Sequence, residues 1–146
     1  MTHNMDALSI LLVDDNQVDI DLTLMAFARV DFKKPVQIAR DGAEMLEIIK
    51  SWEFNNPIPK LILLDINLPK VSGLEVLRVL KETEKTRQIP VVMLTSSNND
   101  ADINKAYEYG ANSYLIKPVD FDQFIVLTKI VCDYWIQLNV KPEAKQ

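Results

Sequence analysis

With 146 residues, 48% of them apolar, the chain can bury one core unaided, and a single domain is the natural count. Acidic residues outnumber basic ones 21 to 16 and no Lys/Arg run could neutralise a row of phosphates, which argues against direct nucleic-acid binding. The one cysteine, Cys132, excludes an internal disulfide and a Cys-based zinc site; its apolar neighbours suggest a buried small hydrophobe, and a reducing cytoplasm is expected.

Residues 1–7 are polar, lack the basic and apolar blocks of a leader, and are expected to form a flexible tail that holds the lone histidine, His3. No window approaches the roughly 20 apolar residues of a membrane span, so a cytoplasmic protein with no membrane contact is expected. The domain itself is expected over residues 8–140. Its first strand, Ser9–Val13, runs into Asp14 and Asp15, and a helix follows with Val18, Leu22, Met25, Phe27 and Val30 on its inner face. A second strand, Val36–Ala39, leads through Gly42 to a helix whose inner positions are Ala43, Leu46, Ile49 and Trp52. Ser51–Lys60, with Pro57 and Pro59, reads as a loop, and the strand Lys60–Leu64 then ends on Asp65. Gly73 opens a third helix marked by Leu74, Val76, Leu77 and Leu80, and the strand Val91–Leu94 ends on Thr95. A weakly apolar helix from Ala101 to Tyr109 is expected to be the most loosely held, with Gly110 as a left-handed cap. The last strand, Ser113–Ile116, ends on Lys117.

A long final helix, Phe121–Leu138, would turn Phe124, Leu127, Val131, Trp135 and Leu138 to the sheet and Phe121, Ile125, Cys132 and Ile136 elsewhere. So wide an apolar face either covers the open end of the core or meets a partner, and a homodimer is one expectation. Residues 141–146 read as a second flexible tail. Alternation of short strands with helices implies an α/β fold: five parallel strands with helices on both faces.

In such a fold right-handed crossovers bring Asp14, Asp15, Asp65, Thr95 and Lys117 to one edge of the sheet, where open α/β folds place their sites. Three crowded carboxylates resist ionising unless a cation is near, and an all-oxygen set suits Mg²⁺. A hard metal beside a carboxylate and an ammonium describes phosphoryl transfer, with Asp65 as nucleophile, Lys117 offsetting charge and Thr95 bonding a phosphoryl oxygen. Each motif alone has a plainer meaning: Asp14-Asp15-Asn16 could cap a helix, Thr95-Ser96-Ser97 could form a turn, and Lys117-Pro118 could be a solvated loop. Their coincidence at four strand ends outweighs those readings.

The stretches Ile10–Asp15, Leu63–Pro69 with Gly73, Pro90–Ser96 and Gly110–Pro118 resemble the receiver domain of two-component response regulators over about Leu8 to Leu138. That resemblance implies a doubly wound, flavodoxin-like three-layer sandwich with sheet order 2-1-3-4-5. It implies Asp65 as the phosphoacceptor, Mg²⁺ on Asp14, Asp15, Asp65 and the backbone carbonyl of Asn67, and Lys117 paired with the phosphoryl group. It makes Thr95 and Tyr114 a switch pair, and Lys117-Pro118 a cis peptide. A sensor histidine kinase as donor and a downstream protein target follow from it, through a surface of helix four, strand five and helix five that could also form the homodimer. The segment from Asp120 to Val140 is similar to stand-alone regulators associated with bacterial phytochromes. No output domain is visible, so a signalling protein rather than an enzyme is expected.

Rival readings are weaker. A flavodoxin-type carrier needs donors, not Asp14 and Asp15, around its phosphate, and a haloacid-dehalogenase-type phosphatase expects a second acid where Asn67 stands. A receiver-shaped interaction module that works without phosphorylation is the remaining alternative.

Overall fold

The computed structural model describes residues 8–54 and 56–142; the expected tail 1–7 with His3, and residues 143–146 of the other, lie outside the described residues. Five strands form one parallel sheet: β1 (Ile10–Val13), β2 (Val36–Ala39), β3 (Leu61–Leu64), β4 (Val91–Thr95) and β5 (Ser113–Ile116). Their order is β2-β1-β3-β4-β5, the doubly wound arrangement expected. The helices are α1 (Gln17–Arg29), α2 (Gly42–Ser51), α3 (Gly73–Glu82), α4 (Asp100–Tyr109) and α5 (Phe121–Val131). The loop expected at Ser51–Lys60 begins as a short 3₁₀ turn, Trp52–Phe54.

Alternation along the central strands sorts the core into two layers. Leu11, Val13, Ile62, Leu64, Val91 and Met93 face α2, α3 and α4, while Ile10, Leu12, Leu61, Leu63, Val92 and Leu94 face α1 and α5. Every residue of β1, β3 and β4 is buried, which explains why these strands read as continuous apolar runs. α3 buries Val76, Leu77 and Leu80 completely, as its spacing predicts, whereas α4 buries only Ala106. Gly110 caps α4 at φ 105°, a conformation that favours glycine.

Three helix faces differ from expectation. In α2 the buried positions are Gly42 and Met45, while Ala43, Leu46 and Ile49, expected on the inner face, are only half-buried. In α1 the buried positions are Ile20, Thr23, Ala26 and Phe27, while Val18 and Met25 are exposed. Counting only large apolar residues hid the true stripe, because Thr23 satisfies its hydroxyl by donating to the Asp19 carbonyl at 2.8 Å and so is buried without penalty. Beyond Val131 the final helix continues as a π-helical segment, Cys132–Leu138. Its wider turn advances the buried face from Val131 to Ile136 rather than to Trp135 and Leu138, so Cys132 and Ile136 pack inward and Leu138 is exposed.

Candidate functional site

Register alone brings the polar residues together. Val13 pairs with Leu64, so Asp14 and Asp65 leave neighbouring strands side by side, and Thr95 pairs with Ile116, so Lys117 leaves β5 next to the tip of β4. Backbone bonds hold those tips: Asp14 N–H donates to Ala39 at 3.0 Å, Asp65 N–H to Val13 at 3.0 Å and Lys117 N–H to Thr95 at 2.8 Å. Gly73 fits behind them. A Cβ there would lie 1.9 Å from the Asp65 carbonyl oxygen, so only glycine lets α3 start this close to β3.

Capping does not consume the acidic residues. Asn16 caps α1 by accepting from Asp19 N–H at 3.0 Å, and Asn99, not the Thr95-Ser96-Ser97 cluster, caps α4. Asp14 accepts from Asn16 N–H at 3.0 Å with Oδ1 and keeps Oδ2 for the site. There Lys117 Nζ donates to Asp14 Oδ2 at 2.7 Å, to Asp19 Oδ2 at 2.8 Å and to Asp65 Oδ2 at 2.9 Å, which uses all three ammonium protons. The lysine side chain is only 6% exposed.

Charge is unbalanced in this cluster. Burial pushes the Asp14 carboxyl above the ordinary carboxylate range, against the pull of Lys117 and the Asn16 N–H. Burial opposes the charge on Lys117 too, but its hydrogen bonds to Asp14, Asp19 and Asp65 outweigh that and hold the ammonium above its usual value. Lys117 is therefore firmly cationic, and it faces three carboxylates alone.

Asp14, Asp65 and Lys117 thus meet as expected, but Asp15 is exposed at the rim and is not a partner of Lys117. The Lys117-Pro118 bond is trans, which corrects the expected cis peptide. Trans is the lower-energy isomer of an X–Pro bond by about 0.5–1 kcal/mol, and the ammonium reaches all three acids from it. Thr95 is fully buried, and its Oγ1 accepts from Ser97 N–H at 3.3 Å; Tyr114 donates its hydroxyl to the Ser97 carbonyl at 2.8 Å. Ser97 in turn donates its hydroxyl to Asp102 Oδ2 of α4 at 2.7 Å, so the two switch candidates are joined through one residue that is tied to a helix.

Sequence reasoning missed Asp19 and Asp102. Asp19 was legible in part: with Asn16 as cap it falls at the third helical position, whose side chain leans back toward the helix start and hence toward the strand tips. Asp102 had no comparable signal, because an acid in the first turn of a helix is ordinary.

Among the described residues no three His, Cys, Asp or Glu side chains stand as a ready metal cage, since Lys117 occupies the space between Asp14 and Asp65. The donor set nevertheless fits a hard divalent ion: its oxygens are carboxylates in excess over their one cation, and no backbone N–H among the described residues donates to the Asn67 carbonyl.

Acids and a lysine converging at the strand tips of a doubly wound sheet define an α/β protein of the flavodoxin-like class with a charged site at the carboxyl edge. Comparison with known proteins agrees. The chain matches the response regulator receiver domain over residues 10–129 and belongs to that family. It is 40% identical over 138 residues to the probable methanogenesis regulatory protein FilR2 of Methanothrix harundinacea, covering 94% of this chain and 89% of that one. It is 36% identical over 137 residues to the response regulator Rcp1 of Synechocystis, covering 92% and 93%. Among solved structures, Mn²⁺-bound Rcp1 superposes with a TM-score of 0.84 at 33% identity over 93% of this chain and 99% of that one. The phosphorylated cyanobacterial phytochrome response regulator RcpA gives 0.86 at 34% identity, over 94% and 99%. Of these two similar receivers, Rcp1 is seen with Mn²⁺ and RcpA in its phosphorylated form.

Proposed function

We propose that this receiver accepts a phosphoryl group from a sensor histidine kinase onto Asp65, with Mg²⁺, and signals through a changed binding surface. The observation that carries the proposal is the ion-pair cluster, in which one ammonium binds the Asp65 and Asp14 carboxylates at 2.9 and 2.7 Å. An Asp65 oxygen attacks phosphorus, the bond from phosphorus to the donor nitrogen breaks, and the electron pair leaves with the imidazole, which takes a proton. Lys117 turns its donors from the Asp65 carboxylate to the equatorial oxygens, where charge accumulates. Asp14, Asp15, Asp65 and the Asn67 carbonyl would hold Mg²⁺, which supplies positive charge to the same oxygens.

Ser97 gives the switch a path. Drawing the Thr95 hydroxyl toward a phosphoryl oxygen disturbs the Ser97 N–H that it accepts from, and the Tyr114 hydroxyl rests on the carbonyl of that same residue. The rearranged region is α4, β5 and α5. Between β5 and α5, a groove of about 480 Å³ lined by Leu115, Ile116, Pro118, Val126 and Ile130 offers apolar surface, which supports a homodimer or target contact there. RcpA is a phytochrome response regulator, which favours a kinase of the phytochrome type here, and light scattering with and without phosphodonor tests the dimer.

The test of the central reaction is intact-protein mass after incubation with acetyl phosphate and Mg²⁺. The wild type should gain one phosphoryl group and Asp65→Asn none. A wild type that stays unmodified would leave only the interaction-module reading.

A further inference from the structure

Lys117 divides its three donors among Asp14, Asp19 and Asp65, and these partners are not equivalent. Asp14 and Asp65 are also the buried acids assigned to the metal, with side chains 2% and 9% exposed. A divalent ion on their oxygens meets the ammonium in the same space, and two cations held that close repel. Asp19 stands outside that set, on another element and 30% exposed. Its backbone is pinned on both sides, by its N–H to Asn16 Oδ1 at 3.0 Å and by its carbonyl accepting from Thr23 Oγ1 at 2.8 Å. The Lys117 backbone is pinned likewise through Thr95. What stays free is the choice of acids that the ammonium contacts.

Resting on the phosphoryl reading above, we propose that Asp19 is the positioning residue that keeps the Lys117 ammonium at the strand tips while Asp14 and Asp65 turn to a divalent cation. Asp19 touches neither the metal nor the phosphoryl group. It lowers the cost of metal entry by giving the displaced ammonium an acid of its own, and it holds that ammonium close enough to meet phosphoryl oxygens later.

Calorimetric titration with Mg²⁺ tests this, because it reads the site without requiring turnover. Asp19→Asn should weaken Mg²⁺ binding about tenfold, as loss of a supporting partner around a metal typically does. Asp21→Asn removes the same charge from the same helix, but its carboxylate accepts from Gln17 at 2.8 Å rather than from Lys117; it should change affinity by no more than about twofold, given solvent screening. In a Lys117→Gln background the effect of Asp19→Asn should shrink to about twofold, since no ammonium remains to be held. Asp19→Ser serves as a second variant should the amide fail to fold. Wild-type affinity in Asp19→Asn, equal losses in Asp21→Asn, or an undiminished loss in the Lys117→Gln background each overturns the proposal. A wild type that binds no Mg²⁺ overturns instead the reading on which it rests.

Discussion

Two lysines at opposite ends of the sheet make the same number of hydrogen bonds to different ends. Lys117, at the strand tips, donates to three carboxylates; Lys81, in the last turn of α3 at the far edge, donates to the Arg87 carbonyl at 3.0 Å, the Ile89 carbonyl at 2.8 Å and Asn112 Oδ1 at 3.1 Å. Acids hold the Lys117 ammonium above its usual value, while burial pushes Lys81 down to about 8. Three neutral oxygens satisfy an ammonium's geometry and leave nothing over. Three carboxylates satisfy the geometry and leave negative charge in excess, and that excess is what a metal and a reaction can use. One end of the molecule is therefore a staple and the other a site.

The largest effect expected from breaking this contrast is at Lys117. Lys117→Met leaves Asp14 and Asp65 buried without a cation, which should cost about 4 kcal/mol in urea unfolding with chelator present and be partly recovered by Mg²⁺. Gly73→Ala comes next. Its methyl group would collide with the Asp65 carbonyl, so α3 or the tip of β3 must shift, costing roughly 3 kcal/mol and slowing phosphoryl uptake as well. Lys81→Met should cost about 2 kcal/mol through the acceptors it abandons and leave phosphoryl uptake unchanged, because it acts only at the staple.

The remaining expectation is one of pH, and its sign follows from the depressed value. The folded protein releases the Lys81 proton near 8 and the unfolded chain near the ordinary 10.5, so the unfolded state binds more protons between them. Wild-type stability relative to Lys81→Met should therefore rise as pH climbs from about 8 to 10.5; a flat or falling difference would place the ammonium in a better-solvated setting.

Much of this contrast could be read from residue order. The strand ends were legible because apolar runs stop abruptly at Asp14, Asp65, Thr95 and Lys117, and parallel pairing forces such ends to one edge. What could not be read depended on geometry finer than periodicity. Thr23 entered the core because a backbone carbonyl satisfied it, and the π-helical turn after Val131 moved a whole face by part of a turn. Asp15 and Asp19 lie four residues apart, and nothing in their type shows that the strand-tip residue is exposed while the helical one reaches Lys117. Ser97 as the joint between Thr95 and Tyr114 rests on its two backbone bonds, to which a side-chain pattern is blind.

The most direct measurement is chemical. Borohydride reduces an acyl phosphate but not a free carboxylate, so reduction of acetyl-phosphate-treated protein followed by peptide mapping identifies the acid that was modified. Homoserine at position 65, and at neither 14, 15 nor 19, is the expected result. Homoserine at any of those three positions, or none at 65 in phosphorylated protein, would contradict the assignment of Asp65 as the phosphoacceptor.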